Sequence, residues 1–135
     1  VGSEMCIRDR YTGRYHMINI IAVFLGGGMG SLFRWLICSK ISTHWGTLTV
    51  NILGAFLIGV LYQYISLHSG FRQELKLLLM TGVLGGFTTF STYLLDFVLL
   101  LNKGHFYEAG FYLMASIIIG VMFLILGIKI VNLCS

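Results

Sequence analysis

The sequence predicts an all-α membrane protein with four transmembrane helices, the third of which is broken in mid-membrane. Composition is the first observation, because 57% of the 135 residues are apolar and only 10% are charged. A soluble domain usually carries about 25% charged residues, so this chain lacks the charge for a water-facing surface. The second observation is a set of four charge-free windows, each about as long as the roughly 20 residues that a helix needs to cross the hydrocarbon core. The third observation is a cluster of flexible and polar residues inside the third window. The windows cover residues 15–33, 41–71, 77–95 and 109–128.

The windows predict short connections and a single transmembrane domain over residues 17–135. Because the number of crossings is even, both termini are expected on the same side of the membrane. Residues 1–16 fall outside this pattern, and we expect a leader there that is non-native or disordered, with Met17 as the true start. No small-residue cleavage site follows the first apolar stretch, so a retained helix is favoured over a signal peptide. The predicted spans are 18–39, 46–66, 74–101 and 107–131.

The basic residues indicate that the chain inserts in both orientations. Orientation follows the imbalance of Lys and Arg between the short loops on the two sides of the membrane. Without residues 1–16 and Arg34, which lies inside the first span, the count is three against two. Counting the leader would make it six against two, so this expectation depends on leaving the leader out. One side carries Arg72, Lys76 and Lys129, and the other carries Lys40 and Lys103.

Other classes of protein fit the composition poorly. The nine basic residues lie singly between apolar blocks and form no patch for nucleic acid. The three cysteines lack CxxC spacing, which argues against a zinc site or a disulfide framework. An intramembrane aspartyl protease needs a second aspartate, and no histidine lies in mid-span to act as a base. We therefore expect no enzyme. The cysteines are Cys6, Cys38 and Cys134.

Small residues recur along the spans at helix-contact spacing. They let helix backbones approach closely where no hydrophobic force drives the packing. Four helices of this length enclose little volume, so an oligomer is favoured over a monomer with an internal pathway. These glycines are Gly26, Gly27, Gly28, Gly30, Gly54, Gly59, Gly120 and Gly127.

The third span carries the densest cluster of chemistry. Six poor helix formers lie within eight residues near its centre, where an exposed backbone group costs on the order of several kcal/mol. A broken helix at that depth is tolerated only where it is buried in protein or lines a polar cavity. The alternative is a packing face whose hydroxyls bond back to carbonyls four residues earlier. The six residues are Gly85, Gly86, Thr88, Thr89, Ser91 and Thr92.

Three further polar residues lie within the spans. Asn51 is the amide in the central part of the second span, and it either lines a pathway or bonds to another helix. Asp96 is the only carboxylate in the interior of a span, away from the first two residues, which makes it a functional candidate unless it lies near the interface. Arg34 either extends its side chain toward the interface or pairs with a span of another subunit.

Four segments together resemble the fluoride channels of the Fluc (CrcB) family. The resemblance covers essentially the whole of residues 17–132, in order and spacing, and implies antiparallel, dual-topology dimers with two fluoride pores and a central structural sodium ion. It further implies passive export of fluoride through a bacterial plasma (inner) membrane, by a homodimer or a heterodimer with a paralogue, in contact with membrane lipid. The segments are GGGMGSLFRW (26–35), GTLTVNILGAFLIG (46–59), TGVLGGFTTFSTYLLD (81–96) and Tyr112-x3-Ser116-x3-Gly120.

The resemblance also implies roles for individual residues. Asn51 corresponds to the pore asparagine, and Phe90 and Tyr93 correspond to two pore-lining aromatic residues, although Tyr93 stands where a second Phe is usual. Gly120 stands where some members have Ser. The backbones of Gly85 and Thr88 match the sodium-site positions. The remaining pore positions are Ser91, Thr92, Tyr112 and Ser116.

Elementary chemistry agrees with an anion pathway. Fluoride must lose most of its water, so the pore must offer several weak donors and no strong trap. An amide, several hydroxyls and the positive edge of a Phe ring provide them, and no Lys or Arg lies in the central parts of spans two to four. The alternative is a small dual-topology, proton-coupled cation or multidrug exporter, in which Asp96 would have to serve alone. A purely structural membrane subunit is the third possibility.

Overall fold

The computed structural model describes residues 17–135, and the predicted leader at 1–16 lies outside them. The described part of the chain is helical and contains no strand. Four stretches are long and apolar enough to cross a membrane, and they confirm the four predicted spans. The elements are α1 (Met17–Lys40), α2 (His44–Leu67), α3 (Gln73–Lys76), a π-helix (Leu77–Leu84), α4 (Gly85–Phe87), α5 (Phe90–Asn102) and α6 (Phe106–Cys134).

Two glycine seams hold the helices together in pairs. In the first seam, α1 packs along the first half of the third span, and Gly30 lies so close that an added methyl group would overlap the carbonyl oxygen of Val83. In the second, α2 packs along α6, where Gly59 meets the backbone of Leu124. Such contacts let van der Waals attraction between backbones stabilise helix pairs in lipid. Three of the predicted glycines, Gly27, Gly28 and Gly120, have no neighbour within 4 Å on their Cβ side. The predicted close packing is confirmed at the other five, which are Gly26, Gly30, Gly54, Gly59 and Gly127.

The third span is broken, as predicted, at Thr88 and Thr89. Thr88 has φ −84° and ψ 154°, and Thr89 has φ −149° and ψ 122°, so both are extended. The helix before the break is not a plain α-helix, because residues 77–84 form a π-helix. Such wide turns are rare and frequently lie at functional sites. The sequence predicted the break and not the π-helix.

The second half of the third span packs on α6 through a small aromatic core. Tyr112 is fully buried there, together with Tyr93, Leu100 and Ala109. Most other large apolar side chains are exposed on the chain, as expected for a surface that faces lipid or another membrane helix. The break therefore lies between two packed bodies: α1 with residues 73–87, and α2 with α6 and α5.

Candidate functional site

The amide of Asn51 binds the break through two hydrogen bonds. Its Nδ2 donates to the carbonyl oxygen of Thr89 at 3.0 Å, and its Oδ1 accepts from the Thr89 N–H at 2.8 Å. A carboxamide can do both because it presents a donor and an acceptor side by side, as a peptide group does. One N–H of the amide remains for another acceptor. Asn51 is thus joined to the third span, and it still has a donor to offer an anion.

Arg34 contacts the other half of the break. Its Nη1 lies 3.3 Å from the carbonyl oxygen of Thr88 and donates to it. The sequence left two alternatives, extension toward the interface or a partner in another subunit. The structure gives a third: the partner is a backbone carbonyl of the same chain, 54 residues away.

A hydroxyl cluster caps the start of α5. The Thr89 hydroxyl accepts from the backbone N–H of Thr92 at 3.3 Å, which is the bond of a helix N-cap. The same hydroxyl donates to Oγ1 of Thr92 at 3.2 Å and lies 3.4 Å from Oγ of Ser91. Sequence reasoning placed Thr89 in the flexible cluster without assigning it a role. A Thr directly before the apolar run of α5 was the available signal for an N-cap.

The aromatic residues form a row from the surface into the chain. Phe90 is 71% exposed, whereas Tyr93 is 4% exposed and Tyr112 is fully buried. The ring centroids of Phe90 and Tyr93 are 5.8 Å apart, and those of Tyr93 and Tyr112 are 5.3 Å apart. The Tyr93 hydroxyl donates to the carbonyl of Leu113 at 2.8 Å. Within one chain, Phe90 presents its ring outward, and Tyr93 supports it from beneath.

The remaining polar residues lie between α5 and α6. The Tyr112 hydroxyl donates to Oδ2 of Asp96 at 3.3 Å, and the Ser116 hydroxyl donates to the Tyr112 carbonyl at 2.6 Å. Asp96 also lines a largely polar cavity of about 410 Å³ together with His44 and Lys103. Asp96 is therefore neither isolated in lipid nor paired with a cation among the described residues. In the structure, Asp96 lies beside Tyr112, whereas Asn51 lies at the break.

The sequence reasoning missed a cluster of two histidines and one glutamate at the same end of the bundle. Nε2 of His44 lies 3.2 Å from Oε1 of Glu108, without the alignment of a hydrogen bond, and Nδ1 of His105 lies 3.5 Å from Oε2. His44 is the first residue of α2, and His105 directly precedes α6. Their shared carboxylate follows from how the two helices begin side by side.

The backbone at Gly85 is open to the outside of the chain. Gly85 is exposed, and an added methyl group would meet only the Met80 carbonyl oxygen, at 3.8 Å. At the neighbouring Gly86, the same group would lie 2.5 Å from the Gly27 carbonyl oxygen. Gly85 therefore faces outward while Gly86 faces α1. A carbonyl has two lone pairs, so the bond from Arg34 leaves one free on Thr88.

The chain has four spans, and hydroxyls, an amide and an outward-facing aromatic ring lie at the interruption of its third span. These features define the class of small multi-pass membrane proteins that carry a polar ion route. Residues 21–128 match the family described as CrcB-like protein, Camphor Resistance (CrcB). The chain belongs to this family.

Curated relatives span nearly the same length. The chain is 41% identical over 120 residues to "Fluoride-specific ion channel FluC" of Agrobacterium fabrum, covering 84% of this chain and 96% of that protein. It is 40% identical over 115 residues to the protein of the same name in Hydrogenobaculum sp., covering 82% and 94%. For the one in Granulibacter bethesdensis, identity is 38% over 123 residues, covering 86% and 96%. The family resemblance expected from the sequence motifs is confirmed.

Proposed function

We propose that this chain is a fluoride-specific ion channel that lets cytoplasmic fluoride leave the cell passively, down its electrochemical gradient, and so reduces fluoride toxicity. The observation that carries the proposal is the 41% identity to a fluoride-specific ion channel, over 96% of that relative's length. A channel of this kind is a multi-pass protein of the bacterial plasma membrane and not an enzyme. Four apolar helices long enough to span a membrane support that location.

The chemistry of the break supports anion conduction. The free N–H of the Asn51 amide, the hydroxyls of Ser91 and Thr92 and the ring edge of Phe90 are neutral, weak donors. In a site of low dielectric, an unpaired Lys or Arg would hold fluoride too firmly to release it. Several weak sites in a row allow the ion to enter and to leave. Further along, Tyr112 and Ser116 would continue the same track.

The outward-facing groups support a second copy as the partner. Gly85, Phe90, Ser91 and Thr92 are all exposed on the single chain, yet polar groups at mid-membrane depth cannot face lipid. A second chain packed over them would enclose two equivalent pathways. The nearly even basic residues on the two sides support an antiparallel, dual-topology dimer, formed by this chain with itself or with a paralogue.

A structural sodium ion fits the same dimer. The Gly85 and Thr88 carbonyls of two chains would supply four neutral oxygens, which suit a small hard monovalent cation. The open outer side of Gly85 leaves room for this, and the ion would neutralise the partial negative charge of exposed carbonyls. It would hold the dimer and would not be transported.

Fluoride efflux from liposomes tests the function. Purified chain in liposomes loaded with potassium fluoride should release fluoride to an ion-selective electrode once a potassium ionophore removes the opposing potential. Chloride loading is the control for selectivity. In Phe90→Ile, which keeps apolar volume and removes the ring edge, the dimer should assemble and efflux should fall more than tenfold. A chain that gives no fluoride efflux, and instead binds a lipophilic cation that protonation releases, would establish the exporter in its place.

Orientation and sodium are tested separately. Three lysines added after Met17 should convert mixed insertion of the Met17 form into one orientation, as read by topology reporters, and should weaken function in cells. A single orientation of the unmodified form would instead indicate a paralogue partner. Replacement of sodium by a large organic cation on both sides should abolish fluoride flux after prolonged exchange, and undiminished flux would exclude the sodium site.

A further inference from the structure

We propose that Arg34 is a positioning residue for fluoride conduction: its guanidinium holds the Thr88 carbonyl from α1, while Asn51 holds Thr89 from α2. The inference rests on the proposed fluoride channel function. It assigns to Arg34 neither a contact with fluoride nor a role in orienting the chain, but the support of the backbone from which the pore residues project.

Arg34 completes the hydrogen bonding of the backbone at the break. Thr88 and Thr89 are the two extended residues that interrupt the third span. The Thr88 N–H still bonds to the Leu84 carbonyl at 3.1 Å, and both backbone groups of Thr89 bond to Asn51. The Thr88 carbonyl is the remaining backbone group of the pair, and Arg34 donates to it. The two helices α1 and α2 thus share the support of two consecutive residues.

Glycines bring α1 and α2 close enough to the third span for Arg34 and Asn51 to reach the break. Gly30 lies one turn before Arg34 on the same face of α1, and the absence of a Cβ there lets α1 rest on the backbone at Val83 and Phe87. In α2, Gly54 lies three residues after Asn51, and an added methyl group would overlap Cγ2 of Thr88. Each helix therefore presents one glycine for close approach and one polar side chain for the break.

The positive charge of Arg34 supports the same role. Among the described residues, Arg34 forms no ion pair with a carboxylate. Its bond instead goes to a carbonyl at the C-terminal end of the half-helix 73–87, where the helix dipole places partial negative charge. A charged donor makes a stronger hydrogen bond to a carbonyl than a neutral donor does. The Arg34 guanidinium therefore fixes one backbone oxygen, that of Thr88.

The consequence for conduction is that α5 starts in a fixed place. Phe90, Ser91 and Thr92 occupy its first turn, directly after the extended pair. If the Thr88 carbonyl is released, the pair can rotate, and the ring edge and hydroxyls no longer converge on one path. Loss of the guanidinium should hence reduce flux without removing any group that contacts the ion.

The test compares Arg34→Met, which keeps only the apolar stem, with Arg34→Lys, which keeps a charge and donors. We expect Arg34→Met to lower liposomal fluoride efflux more than tenfold and Arg34→Lys to retain at least a third of it. Amide hydrogen exchange by mass spectrometry should rise in Arg34→Met within residues 88–92 and stay unchanged in α6. Arg72→Met is the matched control, because the Arg72 side chain is 78% exposed and its ion pair within residues 17–135 is with Glu74, at 3.6 Å. It should change neither measurement.

Three results would overturn the proposal. Efflux of Arg34→Met within threefold of the unmodified chain would do so, as would lowered efflux with unchanged exchange at 88–92, which indicates attraction of the anion by charge alone. A rise in exchange along all helices would indicate general destabilisation instead. If Arg34→Met does not assemble, Arg34→Lys is measured in its place. Arg34→Lys must then show a smaller rise in amide hydrogen exchange, confined to residues 88–92, and no such rise would refute the proposal. If the unmodified chain gave no fluoride efflux, the proposed function would be refuted. The hydrogen-exchange comparison would still test whether Arg34 stabilises the backbone at the break.

Discussion

Replacing Asn51 by Leu should weaken the third span and stop conduction. The change keeps the approximate side-chain volume and removes both bonds to Thr89, at 3.0 and 2.8 Å. Each buried group left without a partner costs about 1–3 kcal/mol in soluble proteins, whereas interhelical bonds in membranes average about 0.6 kcal/mol each. For two bonds these values span about 1 to 6 kcal/mol, and we expect a loss of about 2 kcal/mol, or roughly 30-fold in the unfolding equilibrium.

The assay is reversible unfolding in mixed micelles together with fluoride efflux from liposomes. A matched control exists in Gln63, whose Nε2 donates to Oδ1 of Asn132 at 2.7 Å in an exposed pair between α2 and α6. Gln63→Leu should cost about 0.5 kcal/mol and leave efflux intact. If Asn51→Leu matched this control in both measurements, the two bonds to Thr89 would have no structural or functional weight.

Asn51→Asp refines the same test by changing one bond and not the other. The carboxylate can still accept from the Thr89 N–H, but its second oxygen would face the Thr89 carbonyl without a proton between them. A protonated carboxyl restores that donor. The stability of Asn51→Asp should therefore rise toward that of the unmodified chain as the pH is lowered, and efflux near neutral pH should be lost. Efflux at the unmodified rate would mean that Asn51 serves only as a bond between helices.

Three further predictions concern the seam, the cap and the aromatic row. Gly30→Ala should destabilise by about 1–3 kcal/mol through overlap with the third span, while Gly28→Ala, with open space, should gain about 0.5–1 kcal/mol; equal unfolding curves would contradict this. Thr89→Val should cost about 1 kcal/mol as a lost N-cap. Thr49→Val is the control and should cost nothing, because the Thr49 hydroxyl donates an exposed hydrogen bond to the Trp45 carbonyl one turn earlier and caps no helix; calorimetry that orders the two variants otherwise would refute the cap. Tyr93→Phe should cost about 1 kcal/mol and keep fluoride efflux, so a tenfold drop in efflux would show that its hydroxyl lies on the ion route.

The spans and the break were predictable from the sequence because each depends on local composition. Charge-free windows set the four helices, and a run of poor helix formers set the interruption at Thr88 and Thr89. The π-helix over 77–84 was not predictable, since Leu-Leu-Leu-Met-Thr-Gly-Val-Leu carries no signal for it. Its wide turns lie against α1, where Gly26 meets the backbone of Leu78, so tertiary contact decides the local form.

The site divides in the same way. Asn51 was recognisable as an amide in the middle of an apolar helix, but its two bonds to Thr89 depend on how α2 meets the break. The partner of Arg34 was beyond reach for the same reason, because it lies 54 residues away and is a backbone atom that any residue would supply. The shared contact of His44 and Glu108 requires two helix starts to lie side by side. Residue types therefore indicate candidate site residues, whereas the hydrogen-bond partners of those residues depend on how the helices pack.

The glycine seams also determine how the fold should respond to cold. Burial of apolar groups away from water weakens on cooling, so a water-soluble bundle loses part of its cohesion at low temperature. Where Gly59 meets Leu124 and Gly30 meets Val83, backbone touches backbone, and the attraction is dispersion between atoms already in lipid. That attraction does not depend on the ordering of water. The helix pairs of this chain should therefore keep their cohesion near freezing, with the surrounding lipid rather than the protein limiting function in the cold.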